Sequence, residues 1–143
     1  MHGSLHPLAA LTQPKAPSAD LVVIALCAQW CGTCREFRLL MEGLAADRPG
    51  LVFVWADIED DAALVGDIEV ENFPTLAIFS RGRAMYSGLV LPQVAVVEQL
   101  IRAIEAVGTA GSPLSAIPAE VEALGIALRL GSLQLAVNPD SPD

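Results

Sequence analysis

The stretch Leu21–Ala28, LVVIALCA, runs straight into Gln29-Trp30-Cys31-Gly32-Thr33-Cys34 and then into Arg35–Asp47, REFRLLMEGLAAD. An unbroken apolar run rich in β-branched residues suits a strand buried on both faces. In the segment that follows, Phe37, Leu40, Met41 and Leu44 recur at spacings of three, one and three, which makes one apolar stripe of a helix. Pro49-Gly50 stops that helix. Two cysteines therefore stand at the joint between a buried strand and an amphipathic helix.

Working outward, LVFVWADI (Leu51–Ile58) reads as a second buried strand. EDDAALVGD after it reads as a short helix, with Asp60 or Asp61 near its start, where negative charge is favoured. Thr75–Phe79 and Arg83–Ser87 flank Ser80-Arg81-Gly82 as a hairpin. Pro92 opens a helix to about Val107, with Val96, Val97, Leu100, Ile101 and Ile104 on its apolar side. The order β–α–β–α–β–β–α predicts a mixed sheet with helices on both faces, an α/β fold. Residues 1–19, rich in Pro, Ala and Ser, are expected to wrap the surface or stay mobile. Residues 20–107 form the domain. Residues 108–143 begin as a linker (GTAGSPLSAIP), offer a short helix in AEVEALGIALRL despite Gly125, and end in a frayed NPDSPD. Leu114, Ile117, Val121, Leu124 and Leu128 are expected to pack back on the domain, since soluble surfaces rarely leave such patches open.

Over 143 residues the chain is 53% apolar, enough for a core without disulfide staples. A formal charge of −9 opposes phosphate backbones and anionic membrane surfaces, which disfavours nucleic-acid and membrane partners. No run reaches the ~18 apolar residues of a membrane span, and residues 1–20 lack the pattern of a secretory signal. These features place the chain in the cytoplasm. Three cysteines are an odd count, too few for a disulfide framework.

Cys31 and Cys34 carry the chemistry. At a helix start, free backbone N–H groups and the positive dipole end favour a thiolate, which is the nucleophilic form of sulfur. The two-residue spacing puts Cys34 one turn onward, within reach of a mixed disulfide on Cys31. Gly32 leaves the first sulfur uncovered, and Trp30 supplies an apolar platform beside it. A zinc site would need a second ligand pair, and only Cys27, His2 and His6 remain. Redox chemistry is the preferred reading; no metal and no cofactor are expected.

Residues 20–107 resemble the thioredoxin family. The resemblance rests on Trp30-Cys31-Gly32-Thr33-Cys34 after an apolar strand, on Phe73-Pro74-Thr75 before the hairpin, and on Gly82 and Gly88 in and after it. It implies a three-layer sandwich with a central mixed sheet, here carrying a C-terminal extension. It implies a cis bond before Pro74, with the backbone of Phe73 holding an extended substrate segment beside the reactive sulfur. It also implies the reaction: Cys31 attacks a protein disulfide, and Cys34 resolves the mixed disulfide and leaves a Cys31–Cys34 bond. An upstream reductant then restores the dithiol. Catalytic Cys31 and Cys34, with Trp30, Gly32, Thr33, Phe73 and Pro74 binding substrate, complete the site of an expected monomeric protein-disulfide reductase.

The chain departs from the family in places. The family's buried acid is replaced by Ala25 and its facing lysine by Trp55, so no unpaired charge is left inside. Asp57 shares the face of Trp55, and the preferred reading is a solvated strand-end carboxylate rather than a substitute acid. Cys27 takes the place of an aromatic and is expected to be a small buried hydrophobe; the sharper alternative is a third exchanging thiol. Thr33 replaces a proline, returning an N–H that should stabilise the reduced form. Leu39 replaces a helix-kinking proline, which predicts a straighter helix. Arg35 and Arg38, and Glu69 and Glu71 before Phe73, are read as solvated surface. The competing function is a binding or chaperone module that keeps the fold with little redox turnover.

Overall fold

The computed structural model describes residues 4–13, 17, 19–28, 30–66, 68, 70, 72–108 and 111–128. Glu69, Glu71 and the terminal NPDSPD lie outside the described residues. Five strands form one sheet in the order β1-β3-β2-β4-β5. They are β1 (Leu5–Pro7), β2 (Leu21–Cys27), β3 (Val52–Asp57), β4 (Thr75–Ser80) and β5 (Arg83–Leu89). β1 and β2 pair in parallel with β3, whereas β4 runs antiparallel to both β2 and β5. Around the sheet lie α1 (Gly32–Asp47), α2 (Ala62–Val65), α3 (Val94–Val107) and α4 (Ala119–Ala127). The mixed sheet flanked by helices is the expected architecture.

Every residue of β2 is buried, and strand alternation decides which side each one serves. Leu21, Val23, Ala25 and Cys27 join Phe53, Trp55, Leu76 and Ile78 on one face, where α1 contributes Cys34, Phe37, Met41 and Leu44. α3 adds Val97, Ile101 and Ile104 to the same layer. Arg48, at the end of α1, fastens the two helices with ion pairs to Glu98 and Glu105, each at 2.7 Å. Val22, Ile24 and Leu26 join Val54, Ala77 and Phe79 on the other face, with Val65 of α2 and Val121 and Leu124 of α4.

Residues 5–12, expected to wrap the surface or stay mobile, instead supply the edge strand β1 and a 3-10 turn over Leu8–Thr12. Leu8 and Leu11 enter the second core layer. The reason is local: two leucines three apart bury together even in a single turn, and Pro7 at a strand end costs no ladder bond. The C-terminal segment packs back as expected through Val121, Leu124 and Leu128, with Ile117 partly buried against them and Leu114 left exposed. Gly125 is a requirement rather than a flaw, because a Cβ there would stand 2.7 Å from Cε2 of Phe79. The hairpin turns through Arg81 and Gly82, both at positive φ (51° and 84°), the two-residue geometry that suits the twist of paired strands.

Candidate active site

The site forms where β2 ends and α1 begins. Cys31 is the N-cap of α1 in extended conformation (φ −88°, ψ 120°), so its sulfur sits where the first turn leaves N–H groups without intrahelical partners. Its own N–H donates to the Ala28 carbonyl (3.1 Å), and its carbonyl accepts from the Arg35 N–H (3.2 Å). Cys31 is a free thiol of intermediate exposure. Gly32 and Thr33 are exposed in the first turn, and Cys34 points into the core with no solvent contact.

Trp30 is 63% exposed and meets the Phe73 ring edge-on, with centroids 5.5 Å apart. That contact brings the Pro74 loop against the cysteine loop. The Phe73–Pro74 bond is cis, Pro74 is buried, and its carbonyl accepts from the Val90 N–H (3.1 Å). Trp30 and Cys31 before α1, Gly32 and Thr33 in its first turn, and Phe73 and Pro74 in the facing loop thus lie together, with Cys34 buried in the same turn of α1. On the opposite flank Arg38 lies over the Trp55 ring (5.5 Å) and pairs with Glu42 (3.6 Å). Ala28, Arg35, Arg38 and Trp55 line a shallow cavity of about 370 Å³ there. α1 runs unbroken for 16 residues, with Leu39 on its exposed side.

Two expectations are corrected. Asp57 is not a solvated carboxylate: it is buried, and its Oδ1 accepts from the N–H groups of Glu59 and Asp60 (2.8 and 2.9 Å). It closes the turn after β3, where backbone donors replace water. Cys27 is fully buried, as expected, yet it is more than a hydrophobe. Its sulfur is joined to that of Cys34 in a disulfide with Cα atoms 5.8 Å apart, so Cys34 is held by Cys27 and not by Cys31. The signal for this was present in the strand pattern. Odd positions of β2 face α1, Cys27 is the last of them, and Cys34 begins the buried stripe of α1.

Elsewhere on the sheet, Tyr86 of β5 donates its hydroxyl to the Leu89 carbonyl (2.9 Å), and loss of solvent pushes its phenol above the ordinary range. Among the described residues no cluster of three or more His, Cys, Asp and Glu is placed to hold a metal ion. Among the same residues no helix is long and apolar enough to cross a membrane.

A sequence profile of the family described as Thioredoxin matches residues 10–102, well over half of the chain. Thioredoxin of Chlamydia trachomatis is 32% identical over 66 residues, covering 46% of this chain and 65% of that protein. Thioredoxin of Oryctolagus cuniculus is 30% identical over 63 residues, covering 44% and 60%. The chain therefore spans just under two thirds of the length of these relatives. Among solved structures, thioredoxin from Trypanosoma brucei brucei matches with a TM-score of 0.60 at 24% identity, over 74% of this chain and 95% of that one. Likeness at that level speaks for the fold, and the profile speaks for descent: the chain belongs to the thioredoxin family.

Proposed function

We propose that the chain is a protein-disulfide reductase working by thiol–disulfide exchange, with Cys31 as nucleophile and Cys34 as resolving thiol. One observation carries the reading: a partly exposed free thiol stands at the start of a helix, with a second cysteine one turn onward beneath it. In the fully reduced chain the Cys31 thiolate attacks one sulfur of a partner's disulfide. A mixed disulfide forms, and the partner's other sulfur leaves and takes a proton. Cys34 then attacks Cys31, the second partner sulfur departs, and two electrons have passed to the partner. A dithiol reductant restores the starting state. Trp30 and Phe73 form the apolar wall that receives the partner, Gly32 and Thr33 leave the sulfur uncovered, and the loop at Pro74 presents backbone to an extended segment. The formal charge of −9 opposes nucleic-acid and anionic membrane partners and favours protein substrates.

Insulin reduction tests the proposal. Wild type is expected to turn over, Cys31→Ser to fall to the uncatalysed rate, and Cys34→Ser to accumulate a mixed disulfide with insulin. Turnover surviving in Cys31→Ser defeats the proposal.

A further inference from the structure

Three cysteines meet at one point of this fold. Cys27 closes β2, Cys34 lies in the first turn of α1, and Cys31 packs against the same apolar layer from the surface side. Cys34 is the shared partner: it follows Cys31 by one helical turn and is bonded to Cys27 across the strand–helix joint. We infer that an oxidised chain passes its disulfide inward, from Cys31–Cys34 to Cys27–Cys34, and thereby becomes a single-thiol form that bonds a partner but cannot complete its reduction. The inference rests on the exchange chemistry proposed above and adds a second state to it.

The step is balanced within the chain. The Cys27 sulfur attacks Cys34 as its thiol proton passes to the departing Cys31 sulfur; the Cys31–Cys34 bond breaks, the Cys27–Cys34 bond forms, and Cys31 is left as the free thiol. One disulfide and one thiol stand on each side, so no oxidant or reductant is consumed. Direction follows from where the leftover sulfur sits. With Cys31–Cys34 closed, the spare thiol is Cys27, sealed among apolar side chains with no solvent contact, a place that cannot hold charge without cost. With Cys27–Cys34 closed, the neutral bond occupies the core, and the spare sulfur is Cys31 at the start of α1, partly open to solvent. Ala25 and Trp55 line the same layer with apolar surface, which suits a neutral disulfide as well.

The consequence is functional. A mixed disulfide formed on Cys31 while Cys34 is held by Cys27 has no thiol of this chain to resolve it, so it persists until the partner's own released thiol reverses it or an external thiol attacks it. A reductase and a holding module are then two redox states of one site.

Peptide mapping of the full chain tests this. The protein is oxidised with stoichiometric diamide, alkylated with N-ethylmaleimide in the native state, quenched in acid and cut with chymotrypsin after Trp30 and Phe37. The expected map joins the peptide of Cys27 to the peptide of Cys31 and Cys34, with label on Cys31. In Cys27→Ala that label is lost, because Cys34 closes on Cys31. A wild-type map with an internal Cys31–Cys34 loop, no label on Cys31 and a separate Cys27 peptide overturns the inference, and it does so without reference to any variant. Insulin reduction by the reduced chain is measured alongside. An inactive chain strikes the reductase reading, whereas an active chain with the looped map strikes this inference alone.

Discussion

The two faces of the sheet are closed by different means. One lies under α1 and α3, helices of 16 and 14 residues, and holds all three cysteines. The other lies under a five-residue 3-10 turn, the four-residue α2 and the nine-residue α4, with its covering leucines drawn from opposite ends of the chain. Chemistry and closure are therefore divided. Changes on the first face move α1 and with it the cap at Cys31. Changes on the second loosen a cover that touches no reacting atom. The C-terminal helix takes up apolar surface that a single 3-10 turn is too small to hide.

Phe37→Ala is the strongest way to break the first face. The ring is fully buried and packs against Trp55 at 6.5 Å, so truncation should cost about 3–5 kcal/mol in urea unfolding. Because α1 carries Cys31, the native alkylation rate of that thiol should change too. A loss of stability with the alkylation rate untouched would mean that the face and the site are not coupled.

Leu124→Ala is the counterpart on the second face. Leu124 is 3% exposed in the layer with Val54 and Phe79, and its truncation should cost about 2–4 kcal/mol. Here the Cys31 alkylation rate and insulin turnover of the folded protein should stay at wild-type values. If turnover falls with stability, the division between the two faces fails.

Thr33→Pro sharpens the comparison within the site itself. Thr33 lies in the first turn of α1 and is exposed, and a proline is tolerated there because first-turn N–H groups lack helical partners. The Cys31 side chain accepts no cap hydrogen bond in this structure, so the expected effect runs through the donor that the Thr33 N–H offers once a thiolate forms, a bond worth about 1.5 kcal/mol. The reduced form loses that support, so the Cys31–Cys34 couple, measured in a Cys27→Ala background, should become more reducing by roughly 30 mV. A potential that is unchanged or more oxidising removes Thr33 from the redox argument.

Much of the first face was legible in the sequence, and less of the second, for a physical reason. β2, β3 and α1 carry long apolar runs or a clean helical stripe, and the Cys31–Cys34 spacing at their joint has a direct chemical meaning. The hairpin was equally plain in Arg81-Gly82. Residues 5–12 escaped notice because three strand residues and one turn are too short to show a period, and they fold only against a sheet already formed. Asp57 is buried where a hydropathy pattern predicts a solvated carboxylate, because local N–H groups invisible in that pattern satisfy it. The Cys27–Cys34 bond needed two facts combined across the joint: which face the end of β2 serves, and which side of α1 begins the core stripe.

Gly125→Ala asks whether α4 closes the second face by close contact or merely rests on it. The substitution has two opposed effects. Replacing glycine inside a helix gains about 1 kcal/mol through backbone entropy and propensity. The added methyl, however, would lie 2.7 Å from Cε2 and 3.2 Å from Cδ2 of Phe79, a ring that is itself fully buried and has no free direction to retreat. Overpacking of that kind costs about 1–3 kcal/mol, so the balance should be a net destabilisation on the order of 1 kcal/mol. The control is Ala123→Gly, on the exposed side of the same helix, which removes propensity without changing the contact and should cost about 1 kcal/mol. If Gly125→Ala instead stabilises the protein, α4 is held at arm's length from β4, and the cover on this face depends on Val121, Leu124 and Leu128 without the backbone approach that glycine allows.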